Sequence, residues 1–369
     1  MIYLDSAATT LIKPAGVEAA VLEALRTLSS PGRGGYPSAM QAAETVFRCR
    51  EEAAALFHVQ EPEQVVFCQN ATHALNIAIR SLVKPGARVL VSGYEHNSVM
   101  RPLEALGAEI TVAGRTLFDP DAALEDFRRL LPGKDAAVCT CVSNVFGYIL
   151  PIEEIAALCR EAGVPLIVDA SQAAGVLPLD FSRLSPAFMA MPGHKGLLGP
   201  QGTGLLLCGE RGEPLLHGGS GSDSISPRMP DFLPDRHEAG THNVCGIAGL
   251  CAGIEYVRQK GTDAILSHER LLLKTAAAEL ENAPGIEIFR GKEKDQSGVL
   301  SFRCAGTDSE SVAAALAERG ICVRAGLHCA PAAHRSAGTL NTGTVRLSFS
   351  PFLTEAQVAA ACGVIKEIS

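Results

Sequence analysis

The segment VPLIVDASQ, residues 164–172, carries five apolar residues with no alternation and then breaks at Asp169. A short apolar run of this kind marks a strand covered on both faces, as in a parallel sheet. The preceding stretch, PIEEIAALCREAG (151–163), reads as a helix with Pro151 at its first position, Ile152, Ile155 and Leu158 on one face, and Gly163 as its stop. Before it, AAVCTCVSN (136–144) is another strand that ends in polar residues. Further upstream the order repeats. QVVFC (64–68) leads through QNATH into the helical ALNIAI, and ARVLVSGYEHNSV carries the strand RVLVS and a loop with His96. Residues 39–57 place Val46, Cys49, Ala53 and Leu56 at helical spacing. Alternating strands and helices predict an α/β domain with a mostly parallel sheet. Such sheets bind ligands beyond the carboxyl ends of their strands. Asn70–Thr72, His96, Asn144 and Asp169–Gln172 all fall at such ends.

Beyond residue 255 the pattern changes. SESVAAALAERG (309–320) reads as a helix with Ser309 as its cap and Gly320 as its stop, and ICVR as a short strand. TVRLSFS (344–350) alternates, with Val345, Leu347 and Phe349 on one face and Arg346, Ser348 and Ser350 on the other. The T-E-A-Q at 354–357 is a capping box that opens a last helix. The expected division is a large domain over residues 15–255 and a smaller α+β domain, residues 1–14 and 256–369, that closes over the site.

Composition limits the classes. The chain has 369 residues, 47% hydrophobic and 20% charged, enough for two domains with real cores and too apolar for disorder. With 32 basic against 40 acidic residues the net charge is −8, and no long basic run exists, so neither nucleic acid nor an anionic membrane is an expected partner. MIYLDSAATT lacks the basic start of a secretory signal. The most apolar stretch, near Val244–Ile254, falls short of the ~20 residues of a membrane span. Twelve cysteines without an export signal read as cytosolic thiols, so a cytoplasmic location is expected.

The glycine-rich GHKGLLGPQGTG (193–204) is not a P-loop, because His194 precedes Lys195 and Gly196 follows it; nor does a G-x-G-x-x-G open a helix at a strand end. Two readings stay open: a turn leading into the strand GLLLC, or small residues around Lys195 so that a planar cofactor can lie against the backbone. A lysine that forms a Schiff base, an aspartate for a pyridinium nitrogen and a loop-to-helix phosphate site together make a pyridoxal phosphate pocket. Lys195, Asp169 and the amides near Ala71–His73 with the Thr72 hydroxyl suit those roles, and His96 suits the ring face.

The sequence resembles the class V aminotransferase-like pyridoxal phosphate enzymes, specifically the cysteine desulfurase and selenocysteine lyase group. The resemblance spans YLDSAATT, NATHALN, EHNSV, SNVFG, DASQ, GHKGLLGPQGTG, EAGTHN, VRAGLHCAP and VRLSF, nearly end to end. It implies a fold-type-I pyridoxal 5'-phosphate transferase and a function of converting L-cysteine to L-alanine with sulfur passed to Cys329 as a persulfide. Residue by residue, it implies Lys195 as the Schiff-base lysine and Asp169 at the ring nitrogen. Gln172 and Asn144 would hold the phenolic oxygen, and His96 would stack on the ring. Thr72, beside Ala71 and His73 at the helix start, and His194 would bind phosphate. Thr241 would reach the phosphate of the other subunit, which implies a homodimer with shared sites. Arg346 would hold the substrate carboxylate, with Arg324 near Cys329. Arg324 or His328 is expected to supply the positive charge that lowers the Cys329 thiol pKa. A sulfur-acceptor protein is a further implied partner.

Two positions depart from the family pattern. Pro192 stands where relatives usually carry Ser or Thr, removing a phosphate contact worth about 1.5–3 kcal/mol. His73 stands where an acidic residue is common. Alternatives on the same scaffold are a selenocysteine lyase, an aminotransferase and a β-eliminating lyase; only the sulfur- and selenium-removing reactions give Cys329 a role. A metal or redox protein built on Cys139 and Cys141, or on His328, Cys329 and His334, is the reading from a different class. Core packing of the two strand cysteines is favoured over it, and no metal is expected.

Overall fold

The computed structural model describes residues 1–32 and 34–368. Its strands are β1 (Ile2–Tyr3), β2 (Val65–Cys68), β3 (Arg88–Ser92), β4 (Glu109–Ala113), β5 (Ala136–Thr140), β6 (Leu166–Asp169), β7 (Phe188–Pro192) and β8 (Gly204–Cys208). After these come β9 (Ile286–Phe289), β10 (Val299–Cys304), β11 (Ile321–Cys322), β12 (Arg324–Gly326) and β13 (Thr344–Ser348).

Seven strands form one sheet in the order β2-β8-β7-β6-β5-β3-β4, parallel except for β8, which runs antiparallel to both neighbours. Successive strand residues serve opposite cores. Val66, Val138, Ile167 and Phe188 pack with the helices Ala71–Leu82 and Asn97–Ala105, while Phe67, Cys139, Val168 and Met189 pack with Pro37–Phe57, Ile152–Ala162 and Val244–Lys260. This double coverage explains the unbroken apolar runs seen in the sequence. The carboxyl ends of β2, β3, β5, β6 and β7 lie along one edge and carry Asn70, His96, Asn144, Asp169 and Lys195 at or just past their last residues.

A second sheet, β12-β13-β10-β9, is antiparallel and shares a core with the helices Thr262–Leu280, Ser309–Glu318 and Glu355–Ile368. The amino terminus joins this core: β1 pairs with β11, Leu4 is fully buried in it, and Ser348 N donates to the Leu4 carbonyl at 2.8 Å.

Local details sharpen several expectations. Thr354 and Gln357 form the capping box, with amide-to-side-chain bonds of 2.9 and 3.3 Å. The cap of Ser309–Glu318 is Asp308, whose carboxylate accepts from the Glu310 and Ser311 amides; Ser309 is the first helical residue, and its hydroxyl turns to the Thr342 carbonyl. Pro151 is likewise a cap, one place before the helix that starts at Ile152. ICVR divides at Val323, so that β11 pairs with the amino terminus and β12 with the second sheet. The polar side of this segment is not a wet face: Arg346 and Ser348 on β13 and Ser350 just past it are all buried. Cys139 and Cys141 are fully buried in the core, and among the described residues no three His, Cys, Asp or Glu side chains are grouped to hold a metal. No described helix is long and apolar enough to cross a membrane.

Candidate active site

Lys195 follows the end of β7 by three residues, in the turn that returns the chain to β8. Its glycine surroundings have an internal cause. A Cβ at Gly193 would lie 2.1 Å from Thr203 Oγ1, and one at Gly196 would lie 2.3 Å from the Ala174 carbonyl. The small residues let this turn pack against its own chain, a requirement that holds whether or not a cofactor lies against the backbone. Burial pulls the Lys195 amine down to about 8; Arg346 and Arg324 add to the fall, while Asp169 and Asp5 oppose it. The same interactions show that these four charges stand around one amine.

Asp169 ends β6 and is buried, with its Oδ1 accepting from the Ser171 amide at 2.9 Å. His96 caps the helix Asn97–Ala105: its Nδ1 accepts from the Ser98 amide at 3.0 Å, so the ring proton belongs on Nε2. Burial holds this imidazole neutral, down to about 4, with Lys195, Arg324 and Arg101 pushing the same way and Asp169 opposing. Thr72 Oγ1 lies 2.7 Å from Ser98 Oγ, which joins the start of the helix Ala71–Leu82 to the His96 loop. Asn70 caps that helix by accepting from the His73 amide, and the first-turn amides at Ala71 and Thr72 have no intrahelical acceptor. Gln172 donates to the Ala7 carbonyl at 3.0 Å and lines a cavity of about 40 Å³ with Lys195, Ser6 and Glu269.

Arg346 reaches inward from β13. It donates from Nη2 to Asp5 at 2.5 Å and from Nη1 to the Asn144 carbonyl at 3.0 Å, while its Nε is buried without a partner. Asn144 Nδ2 in turn donates to the His328 carbonyl at 2.9 Å, and the Asn97 amide donates to the Cys329 carbonyl at 2.8 Å. Both His328 (φ 49°) and Cys329 (φ 57°) are left-handed, a conformation that costs about 1–2 kcal/mol for a non-glycine residue. The two bonds to their carbonyls hold that turn in place. Cys329 is exposed. His328 is buried beneath it, with Nε2 3.1 Å from the Thr344 carbonyl, and burial pushes its ring down to about 2. His328 is therefore neutral and supplies no charge to the thiol. Of the two groups considered for that role, only Arg324 carries one.

His194 turns its carbonyl to the Thr10 amide and hydroxyl at 3.0 Å each, and its buried Nδ1 has no protein partner. Pro192 pairs through the backbone with Gly204 at the end of β7. His73 and Thr241 do not join the lysine group. They line a separate hollow of about 170 Å³ with Gln69, Thr203 and His242, and the His73 Nε2 is unpartnered.

Sequence reasoning missed two participants. Asp5 lies 341 positions from the arginine it pairs with, and nothing local marks it. Glu95, inside the quoted EHNSV, is fully buried and bonds to Ser92 and Thr140.

These donors match one kind of guest. A lysine amine with a depressed pKa suits an aldehyde, a buried carboxylate suits a protonated ring nitrogen, and free helix amides with Thr72 and the orphan His194 nitrogen suit a phosphate. An α/β enzyme built to hold pyridoxal phosphate by its lysine has this equipment.

The comparisons agree. The chain belongs to the class-V aminotransferase family, whose pattern it matches over residues 2–360; these are pyridoxal phosphate enzymes acting on small molecules. It is 33% identical to a probable cysteine desulfurase of Methanothermobacter thermautotrophicus, over all of this chain and 94% of that one. A cysteine desulfurase from Thermococcus onnurineus NA1, solved without ligand, superposes with a TM-score of 0.91 at 30% identity, covering 100% of this chain and 94% of that one. The cysteine desulfurase CsdA of Escherichia coli superposes with a TM-score of 0.85 at 28% identity, over 99% and 94% of the two chains.

Proposed function

We propose that this protein is a pyridoxal phosphate-dependent cysteine desulfurase that moves the sulfur of L-cysteine to Cys329 and releases L-alanine. One observation carries the reading: an exposed thiol on a left-handed turn is tied, through Asn144 and Asn97, to the loop that Arg346 bonds and to the segment that carries His96. A transaminase has no use for a thiol there.

When bound, pyridoxal phosphate supplies an aldehyde and a ring that accepts electron density from an amino acid's Cα. Lys195 Nζ would hold the cofactor and would be placed to take a Cα proton; an amine near 8 is suited to both tasks at neutral pH. Asp169 would hold positive charge at the ring nitrogen, and Gln172 and Asn144 would hold the phenolic oxygen. His96, with its proton on Nε2, would cover the ring face. Thr72, His194 and the free first-turn amides at Ala71 and Thr72 would take the phosphate, and Thr241 would take the phosphate of a partner subunit in a homodimer. Exposed Leu22, Leu25, Met40 and Phe47 offer apolar surface for that association. Arg346 binds the substrate carboxylate through the donors that Asp5 and Asn144 leave free. At Cys329 the substrate's Cβ–S bond breaks and an S–S bond forms. The thiol proton and the Cβ–S electron pair end on the methyl group of alanine. Residues 15–255 act as the cofactor-binding domain, and 1–14 with 256–369 as the smaller one. An acceptor protein collecting the exposed persulfide in the cytoplasm completes the reading.

The test is product identification with the cofactor-loaded protein, L-cysteine and a thiol reductant. Alanine with stoichiometric sulfide supports the proposal, and Cys329→Ser should abolish both while leaving the cofactor absorbance unchanged. Pyruvate and ammonia, or a keto acid with aminated cofactor, would retain Lys195 and Asp169 in their roles and remove Cys329 from its own.

A further inference from the structure

Glu95 lies beneath the site and no step above uses it. It is fully buried. Its Oε1 accepts from Ser92 Oγ at 2.5 Å and from the Thr140 amide at 2.8 Å, so one oxygen ties the carboxyl ends of β3 and β5 together. Those strands support His96 and the Asp169 strand on either side: Thr140 pairs in register with Asp169, and its hydroxyl donates to the Asp169 carbonyl at 3.3 Å. The other oxygen, Oε2, is buried with no partner.

A buried carboxylate requires a cation or several donors, and Glu95 has no cation among its described contacts. The groups facing it are Asp169 on β6 and the Cys139 and Cys141 thiols at the end of β5, and the neutral His96 follows it in the chain. On the proposed reading the Asp169 side chain would face the protonated ring nitrogen of a bound cofactor. A second carboxylate nearby would compete for that single positive charge, and two close buried carboxyls settle by keeping one proton between them. Burial, reinforced by Asp169, raises the Glu95 acid to about 8 against the pull of its hydrogen bonds.

We propose that Glu95 is held as the uncharged acid at neutral pH, that it is a positioning residue for Asp169 and His96, and that its ionisation sets an alkaline limit on cofactor retention. The positioning role rests on the reading of Asp169 at the ring nitrogen; the state of the acid does not. Lys195 titrates in the same range and contributes its own pH dependence, so the comparison must be between variants that share it.

The experiment measures the equilibrium affinity of the full chain for pyridoxal phosphate from pH 6.5 to 9.5 in wild type, Glu95→Gln and Glu95→Ala. Glutamine mimics the neutral acid: it keeps the Oε1 acceptor and adds no charge. The expected result is that E95Q binds at pH 7 within about threefold of wild type and loses the part of the alkaline weakening, about tenfold per pH unit above the Glu95 pKa, that wild type shows. E95A should bind more weakly at every pH, because the tie between β3 and β5 is gone. Weak binding by E95Q at pH 7 equal to that of E95A would overturn the proposal, as would a wild-type pH curve that E95Q reproduces unchanged. Infrared spectroscopy reads the proton directly in the full chain carrying Glu269→Gln, which removes the other buried glutamate that burial raises to about 8. A protonated-carboxyl band at pH 7 that vanishes above pH 9 supports the proposal, and no such band at pH 7 overturns it even if E95Q fails to fold. If no variant takes up the cofactor at any pH, the proposed function fails with the positioning role, and the band still decides the state of Glu95.

Discussion

Arg324 and Arg346 stand directly opposite each other in the β12–β13 ladder. Like charges at facing positions destabilise a sheet by about 0.2–1 kcal/mol, and they persist here because each has a different environment. Arg346 is buried and paired with Asp5, whereas Arg324 is exposed at the mouth beside Cys329's loop. Both guanidinium groups act on the Lys195 amine.

Arg346→Lys therefore keeps the charge and loses the fork that serves Asp5, Asn144 and a carboxylate together. The expected outcome is a KM for L-cysteine raised about ten- to hundredfold, from the loss of one charge-assisted hydrogen bond, with a smaller change in kcat. Steady-state kinetics on the purified variant check this. An unchanged KM would place the substrate carboxylate elsewhere.

Capture of pyridoxal phosphate by cofactor-free protein should accelerate with pH and level off near 8. The reactive form of Lys195 is the free amine, whose pKa is lowered from 10.5 to about 8 chiefly by burial. Stopped-flow absorbance across pH 6 to 10 reads this directly. A rate still climbing tenfold per pH unit at pH 9 would mean an ordinary exposed lysine.

Glu269 lines the cavity behind Lys195, and burial alone raises its carboxyl to about 8. The folded state thus holds a proton that the unfolded chain releases near pH 4.5, so this residue's contribution is fully present below 4.5 and is lost as pH rises through 8. Glu269→Gln should leave the Tm at pH 5 nearly unchanged and raise it at pH 8.5. The gain is on the order of a few kcal/mol, read by thermal unfolding at the two pH values.

Thr241 lines a hollow apart from Lys195 in its own chain. If it serves a partner's phosphate, Lys195→Ala and Thr241→Ala proteins, each impaired alone, should regain activity when unfolded together and refolded as mixed dimers, because one of the two sites then has both residues. Activity that stays at the level of the separate variants would place both residues in sites within a single chain.

Periodicity and punctuation made most of the large sheet legible. Apolar runs that stop at Cys68, Ser92, Thr140 and Asp169 mark strands buried on two faces, and the polar residue after each stop marks the ligand edge. The antiparallel insertion of β8 between β2 and β7 left no such signal, since strand direction depends on how the chain returns and not on strand composition. The glycines around Lys195 were legible as a requirement, but their cause was not: the Thr203 hydroxyl and Ala174 carbonyl they accommodate are 10 and 22 positions away in sequence.

What the sequence determined by itself was the chemistry available and the edge on which it gathers, because both follow from residue type and local period. Charge states and partners were decided by the tertiary structure. It alone made His328 neutral, set Asp5 against Arg346 and left Glu95 with an unpaired oxygen beside Asp169. A side chain's ionisation and its hydrogen bonds depend on burial and on neighbours hundreds of residues away, and neither quantity is local.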